Sequence, residues 1–490
     1  MRETFNSRLG FILVSAGCAI GLGNVWKFPY MCGAYGGAAF LLIYLFFLVV
    51  FGLPVLLCEF SVGRASRQSV ARAFDVLTPG AKRWRFLKYV GVIGCHLLMM
   101  FYTMVCGWMI YYAFRMARGE FTGASPEAVA QGFAGMLSEP ATMTFWMIVT
   151  CAAGYAVCFM GLRRGIERVT KWMMIALLVI MVVLAVHSVL MPGAEAGIVF
   201  YLKPDLDRLV ASGVGTVVFA AMSQAFFTLS LGVGSMLIFG SYLGKDRSLL
   251  GESAWVTVLD TFVAFTAGLI VIPACFSSGV PPGAGPGLVL ITLPNIFAGL
   301  PWGNAWGTLF FIFMSFAAIS TVIAVFECLV AVYMECFGWT RQKSSIIGCA
   351  LMIVLSMPCV LGFNLWSGFE PMGPGTGIMD LEDFILSNNL LPLGALGYVF
   401  YCTQKYGWGW NAFITEVNTG EGPKITKGVA ALKFYMTYCL PTILVAVYIK
   451  GYYDFFSPKG SMVLCGWLGF AALCLVLVFY SAGFLAQKDR

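Results

Sequence analysis

Charge is what this sequence has least of. Only 11% of its 490 residues are charged, against 60% that are hydrophobic; a soluble domain carries about 25% charged residues. With a mean hydropathy of +0.86 spread over the whole length, a soluble globular protein is excluded and a chain that crosses a membrane many times is implied. Histidine is nearly absent, with two residues, His96 and His187, far apart in the sequence. They read as packing and hydrogen-bonding groups rather than proton carriers. The sixteen cysteines include no CxxC pair, so no metal or redox framework is visible and most read as small buried hydrophobes. No HExxH, GxSxG or paired-histidine constellation occurs, and no enzyme is expected. "MRETFNSRLG" leads into the first apolar segment without a small-residue cleavage site, so no cleavable signal peptide is expected. The net charge of +7 does not call for nucleic acid, because the basic residues sit in short loops that set topology.

What is abundant is apolar runs of membrane-crossing length, roughly 20 residues each. About twelve are expected, near 10–34, 38–60, 87–114, 142–160, 170–190, 213–243, 253–277, 305–337, 344–363, 385–407, 428–450 and 462–486, with a re-entrant or surface helix near 289–299. The loop after the second run holds Arg64, Arg67, Arg72, Lys82, Arg83 and Arg85 against Asp75 alone, and that after the fourth holds Arg163, Arg164, Arg168 and Lys171. Segments 32–37 and 276–304, on the other side, have no lysine or arginine. The positive-inside rule then puts the amino terminus in the cytoplasm and, with an even number of spans, the carboxyl terminus too.

Two spans look like poor membrane helices. The first contains "GCAIGLGN" and the sixth "FFTLSLGVGS", although each glycine costs a helix about 1 kcal/mol relative to alanine. They stand five spans apart, and an odd number of spans per copy inverts the second copy. Glycine-interrupted spans in corresponding positions point to an inverted-repeat transporter with its site at mid-membrane. The plainer reading, glycines for close helix packing, leaves the neighbouring Asn24, Thr228 and Ser230 unexplained.

An unwound helix frees backbone groups that must find partners. Carbonyl and hydroxyl oxygens suit a hard cation such as Na+, and the amino end of the resuming half-helix suits a carboxylate. Asp260 lies inside the seventh span. A charge there costs at least about 2.5–3.5 kcal/mol, so a cation partner is expected. Ser320 and Thr321 stand together in the eighth span, with the Ala317 carbonyl one turn back; back-bonding to their own helix is the plainer reading. Glu59 and Glu327 read as anchors for freed backbone N–H groups rather than ion ligands. Tyr102 presents a hydroxyl to the cavity or simply packs.

Seven stretches, "GLGNVWKFPY", "GGAAFLLIYL", "FYTMVCGW", "MPGAEAGIVFYLKPD", "AFFTLSLGVG", "GPGLVLITLP" and "FFIFMSFAAIST", carry a resemblance that extends nearly end to end: the chain resembles the neurotransmitter:sodium symporters, in particular their bacterial amino-acid transporter branch. The resemblance implies an all-α polytopic membrane protein of the leucine-transporter fold, with about 12 transmembrane helices, a 5+5 inverted repeat and unwound first and sixth helices. Residues 1–190 would be the first repeat, 191–409 the second, and 410–490 two additional spans. It implies a first sodium site of Ala19, Asn24, Thr228 and Asp260 with the substrate carboxylate. A second would use Gly17, Ile20, Ala317, Ser320 and Thr321. The substrate carboxylate would meet the Leu22–Gly23 backbone and Tyr102, and its amine would meet Ala19, Phe227, Thr228 and Ser230. Gly21 stands where monoamine carriers place an aspartate, so an α-amino acid is favoured. Leu98, Phe227, Val233, Val322, Ala324 and Val325 would line an apolar side-chain pocket, which implies an aromatic or large aliphatic substrate. The outer gate would comprise Lys27, Gln224, Phe227 and Asp383; the inner gate, Arg2, Phe5, Tyr242 and Glu335.

Three residues depart from the family pattern. Cys18 replaces a residue that is polar or small in many relatives. Lys27 stands where arginine is usual and lacks its planar fork. Asp260 replaces an asparagine that sits beside chloride in animal members, and Ala264, one turn on, lacks a chloride-binding hydroxyl. No chloride requirement is therefore expected, and a protonatable Asp260 would also allow proton counter-movement. The expected function is Na+-driven import of the amino acid across the plasma (inner) membrane by alternating access, with two ions as cofactors and the lipid bilayer as surroundings. The alternative is a sodium-dependent sensor or channel-like protein on the same scaffold; no soluble signalling domain or continuous polar stripe favours it.

Overall fold

In the computed structural model, residues 3–282 and 287–483 are described. Among these, ten helices are long and apolar enough to cross a membrane. They are Ala38–Ser66, Lys82–Ala117, Pro140–Phe159, Leu162–Val189, Leu249–Ser277, Gly303–Phe337, Arg341–Leu361, Ile378–Thr403, Val429–Lys459 and Ser461–Ser481. An eleventh crossing is the bent pair Arg8–Ala19 and Gly23–Ala34, whose halves meet at 59°. Val214–Thr228 and Ser235–Tyr242 are each too short to cross alone. Counted together as the sixth span, they make the arrangement consistent with the expected twelve. The short apolar helix between the seventh and eighth spans is Leu288–Ala298.

Among the boundaries that differ from expectation, three have a polar reason. The second span runs on past residue 60 to Ser66 because Arg64, fully buried, is bonded to the Glu416 carboxylate at 2.6 Å and to the Arg247 carbonyl at 2.7 Å. The tenth begins at Ile378 rather than 385. Its first turns carry Asp380, Glu382 and Asp383, which broke the apolar run, yet Asp380 accepts from the Gly377 N–H at 2.7 Å and caps the helix start. The eleventh continues to Lys459 through the polar "GYYDFFSPK".

The packing order matters for the site. The broken first span lies against the seventh and eighth, the broken sixth against the second, and the third runs along the eighth. Exchanging spans 1–5 with 6–10 maps the 1–7 contact onto 6–2 and the 3–8 contact onto itself, as an internal two-fold relation would. The two breaks thus meet at mid-bundle, walled by the third and eighth helices.

Candidate functional site

The first break starts where Ile20 leaves the helix with ψ 92°. The chain resumes as a wide π-turn over Gly23–Lys27 before Phe28–Ala34. In the sixth span, Ser230, Gly232 and Gly234 all have positive φ (51°, 99° and 75°), which only glycine adopts without strain. Gly232 is required twice over, since a Cβ there would overlap the Leu391 carbonyl. Its N–H, freed by the break, donates to Glu59 Oε1 at 2.5 Å. Glu59 therefore anchors freed backbone as its position suggested. Glu327 does not: it receives Arg341 at 2.6 and 3.0 Å and the Tyr242 hydroxyl. A cation one helix away satisfies it better than an amide would.

Asp260 is fully buried at the junction of the two breaks. Asn24 Nδ2 donates to its Oδ1 at 2.8 Å and to its carbonyl at 3.2 Å, and the Thr228 hydroxyl donates to Oδ2 at 3.2 Å. Among the described residues Asp260 makes no ion pair. On the other flank of the first break, Thr321 Oγ1 lies 3.2 Å from the Gly17 carbonyl, 3.3 Å from Ile20 and 3.4 Å from Ala317. Ser320 Oγ is 2.9 Å from the same Ala317 oxygen. One hydroxyl has one proton to give, so two of those three carbonyls face a shared point without receiving it from Thr321. Both oxygen clusters have the hard-ligand chemistry of a Na+ site.

Between them lies a cavity of about 30 Å³, room for two or so waters as it stands. Ala19, Gly21, Leu22, Gly23, Leu98, Tyr102, Phe227, Thr228 and Ser230 line it, as does Thr321. The Leu22 N–H donates to the Tyr102 hydroxyl at 3.0 Å. A Cβ on Gly21 would come within 2.5 Å of that hydroxyl and 2.9 Å of Thr321 Oγ1, so no aspartate fits there. Four expected pocket residues do not line it. Val233 packs against the bare face of Gly94, where an added Cβ would lie 2.5 Å from its Cγ1. Val322 faces Gly154 of the fourth span, and Val325 is fully buried in the eighth without lining the cavity. Ala324 is likewise buried without lining it. The helices of Val233 and Val322 turn these two side chains into helix–helix seams. Leu386 and Leu391 take their place; a π-turn over Leu386–Leu390 brings both to one side, a register that apolar sequence does not announce.

Above this cavity is a second of about 100 Å³, bordered by Lys27, Asp383, Ser387 and Asn388. Phe227 and Leu391 border both. Lys27 Nζ stands 4.1 Å over the Phe227 ring, while Asp383 accepts from Ser387 at 2.6 Å; no ion pair joins Lys27 to Asp383 among the described residues. Gln224 Nε2 donates to the Gly23 carbonyl at 3.0 Å, tying the sixth span to the first. At the opposite end, Phe5 packs edge-on against Tyr242 at 6.0 Å. Glu335 accepts from the Ser69 N–H and hydroxyl at 2.8 and 2.6 Å. Arg2 lies outside the described residues. His96 bonds Tyr333 and the Val92 carbonyl, and His187 stacks on Trp306, both packing roles. Cys18 is fully buried and lines neither cavity; nothing in the structure gives it a role.

The chain is similar to MhsT, solved in complex with L-phenylalanine: 35% identity, TM-score 0.81, covering 92% of this chain and 100% of MhsT. It is 34% identical to the sodium-dependent transporter YhdH of Bacillus subtilis, over 80% of this chain and 85% of YhdH. It is 29% identical to a sodium-dependent transporter of Haemophilus influenzae, over 92% of this chain and 98% of the relative. With residues 2–125 and 128–480 matching the profile of the Sodium:neurotransmitter symporter family, the chain belongs to that family.

Proposed function

We propose that the chain is a sodium-driven symporter that imports an α-amino acid with an aromatic or large aliphatic side chain, by alternating access, using two Na+ and no chloride. The observation that carries this reading is the buried Asp260, whose partners Asn24 and Thr228 are neutral. A carboxylate so placed is stabilised by a bound cation. Ala19, Asn24, Thr228 and Asp260 are the first proposed sodium site. Gly17, Ile20, Ala317, Ser320 and Thr321 are the second. The substrate carboxylate would take over the Leu22 N–H and the Tyr102 hydroxyl and touch the first ion; its amine would meet Ala19, Phe227, Thr228 and Ser230. That shared ion–carboxylate contact couples the two cargoes. The L-phenylalanine held by MhsT supports an amino acid of this class.

In the same reading, Lys27, Gln224, Phe227 and Asp383 close the outer side, and Arg2, Phe5, Tyr242 and Glu335 the inner. Residues 1–190 and 191–409 are the two inverted repeats, with 410–490 two additional spans outside them. The protein sits in the plasma (inner) membrane with both termini cytoplasmic. The test is binding of each amino acid to purified protein, with sodium replaced by potassium and chloride by gluconate in turn. Saturable binding of large apolar amino acids in sodium, unchanged without chloride, is expected. Absence of sodium-dependent binding for every amino acid would overturn the reading.

A further inference from the structure

We propose that the foot of the fifth span is a binding site for the headgroup of an anionic phospholipid. A cavity of about 350 Å³ opens there between the segment Asn6–Ser7 and the side chains of Arg163, Arg168, Lys171 and Trp172. Glu167 forms part of its wall, and on a free helix it would pair with Lys171, four residues on. It does not. Its carboxylate is turned inward and accepts from the Asn6 N–H at 2.8 Å, the Ser7 N–H at 3.1 Å and the Ser7 hydroxyl at 3.1 Å.

The amino-terminal strap thus consumes the one acid on this stretch. Arg164, Arg168 and Lys171 are left without an ion pair among the described residues, while Arg163 leans on Thr4 at 2.8 and 3.1 Å. The cavity keeps a net positive charge, since Arg163, Arg168 and Lys171 border it against Glu167 alone; at the end of a membrane-crossing helix such a charge attracts an anion, and a concave site between the cations selects a phosphate over diffuse counter-ions. Trp172 decides for a lipid over a free anion. It is 64% exposed on the same face, and an indole so placed is stable at the level of lipid headgroups, with its ring toward the chains. Topology alone would explain the number of cations but not the inward acid, the cavity or the exposed indole together.

The site adjoins the strap that leads to Phe5, so a bound headgroup would brace the amino-terminal segment against the fifth span. The test uses the purified full chain and native mass spectrometry with phosphatidylglycerol or phosphatidylcholine added. Wild type should retain phosphatidylglycerol in preference. Arg168→Gln with Lys171→Gln should weaken that retention about 30-fold, whereas Lys424→Gln with Lys427→Gln, which removes the same charge from another exposed loop, should not. Equal retention by wild type and the first double variant, equal loss in both double variants, or no preference for the anionic lipid would each overturn the proposal. Displacement of the lipid by millimolar inorganic phosphate would overturn the choice of a lipid in favour of a soluble anion. Should the double variant fail to fold, quenching read as the difference between wild type and Trp172→Phe decides, with bromine-labelled phosphatidylglycerol set against bromine-labelled phosphatidylcholine: a larger difference with the anionic lipid supports the site and an equal one removes it.

Discussion

Asn24 and Asp260, 236 residues apart in sequence, are joined by a 2.8 Å hydrogen bond that closes the break in the first span onto the middle of the seventh. The amide nitrogen of Asn24 faces the carboxylate, and its oxygen accepts from the Gly21 N–H at 3.3 Å. Asn24 is therefore oriented by both ends, and the Asp260 charge is held a fixed distance from the unwound backbone.

Replacing that charge gives the first prediction. Asp260→Asn keeps the shape and removes the anion that a cation there would face. A charged hydrogen-bonding group is worth about 2 kcal/mol, so half-saturation by sodium should rise roughly thirtyfold. Chloride should not restore it, because Ala264, buried one turn on in the same helix, offers no hydroxyl. Asp260→Asn with Ala264→Ser should transport only when chloride is present. Sodium titrations of uptake in chloride and in gluconate check both statements, and wild-type uptake stimulated by chloride, with Asp260→Asn still stimulated, would count against them.

Thr321→Val tests the second oxygen cluster. The exchange conserves volume but removes the hydroxyl that lies within 3.2–3.4 Å of three carbonyls. Direct binding of radiolabelled sodium should fall by one ion per protein at concentrations that saturate wild type, and the sodium dependence of uptake should become less steep. Back-bonding alone predicts neither change, since valine would leave the helix intact.

Sequence made the frame legible where the physics is local. Long apolar runs set the helices, and glycine with a buried polar neighbour marked both breaks. The positions of Asn24, Asp260, Thr228, Ser320 and Thr321 followed from polar atoms at membrane depth. What sequence hid was rotation and register. Val322 and Val325 are apolar residues on an apolar helix, and nothing in their identity says which side meets Gly154 and which meets the cavity. The tenth span concealed more, because its acidic first turns masked its start and its π-turn shifts Leu386 and Leu391 to a face that a regular 3.6-residue period would not assign.

That correction reverses the expectation for Val233. As a cavity-lining residue, Val233→Phe should narrow the substrate range. Seated on Gly94 instead, the larger ring has no space in the seam between the third and sixth spans. Overpacking of this kind costs about 1–3 kcal/mol. The variant should show a lower unfolding temperature in detergent and reduced uptake of every substrate alike. Selective loss of the largest substrates with unchanged stability would return Val233 to the pocket.

Leu391 carries the complementary prediction. It borders both the inner cavity and the outer one, together with Phe227, and the inner cavity, at about 30 Å³, is too small for an amino acid until a wall moves. Leu391 belongs to the wholly buried helix Leu391–Thr403, so its side chain sets how far Phe227 can close over a bound substrate. Leu391→Ala should do two separable things. Enlarging the inner cavity should shift preference toward the bulkiest side chain, raising affinity for tryptophan relative to leucine by about tenfold, as one or two methylene-sized contacts allow. Thinning the partition should speed substrate escape outward, measured as faster exchange of bound amino acid in sodium. Leu386→Ala, which faces the inner cavity but not the outer, should produce the first change without the second. If both variants alter exchange equally, Leu391 is part of the pocket wall and the partition between the two cavities belongs to Phe227 alone.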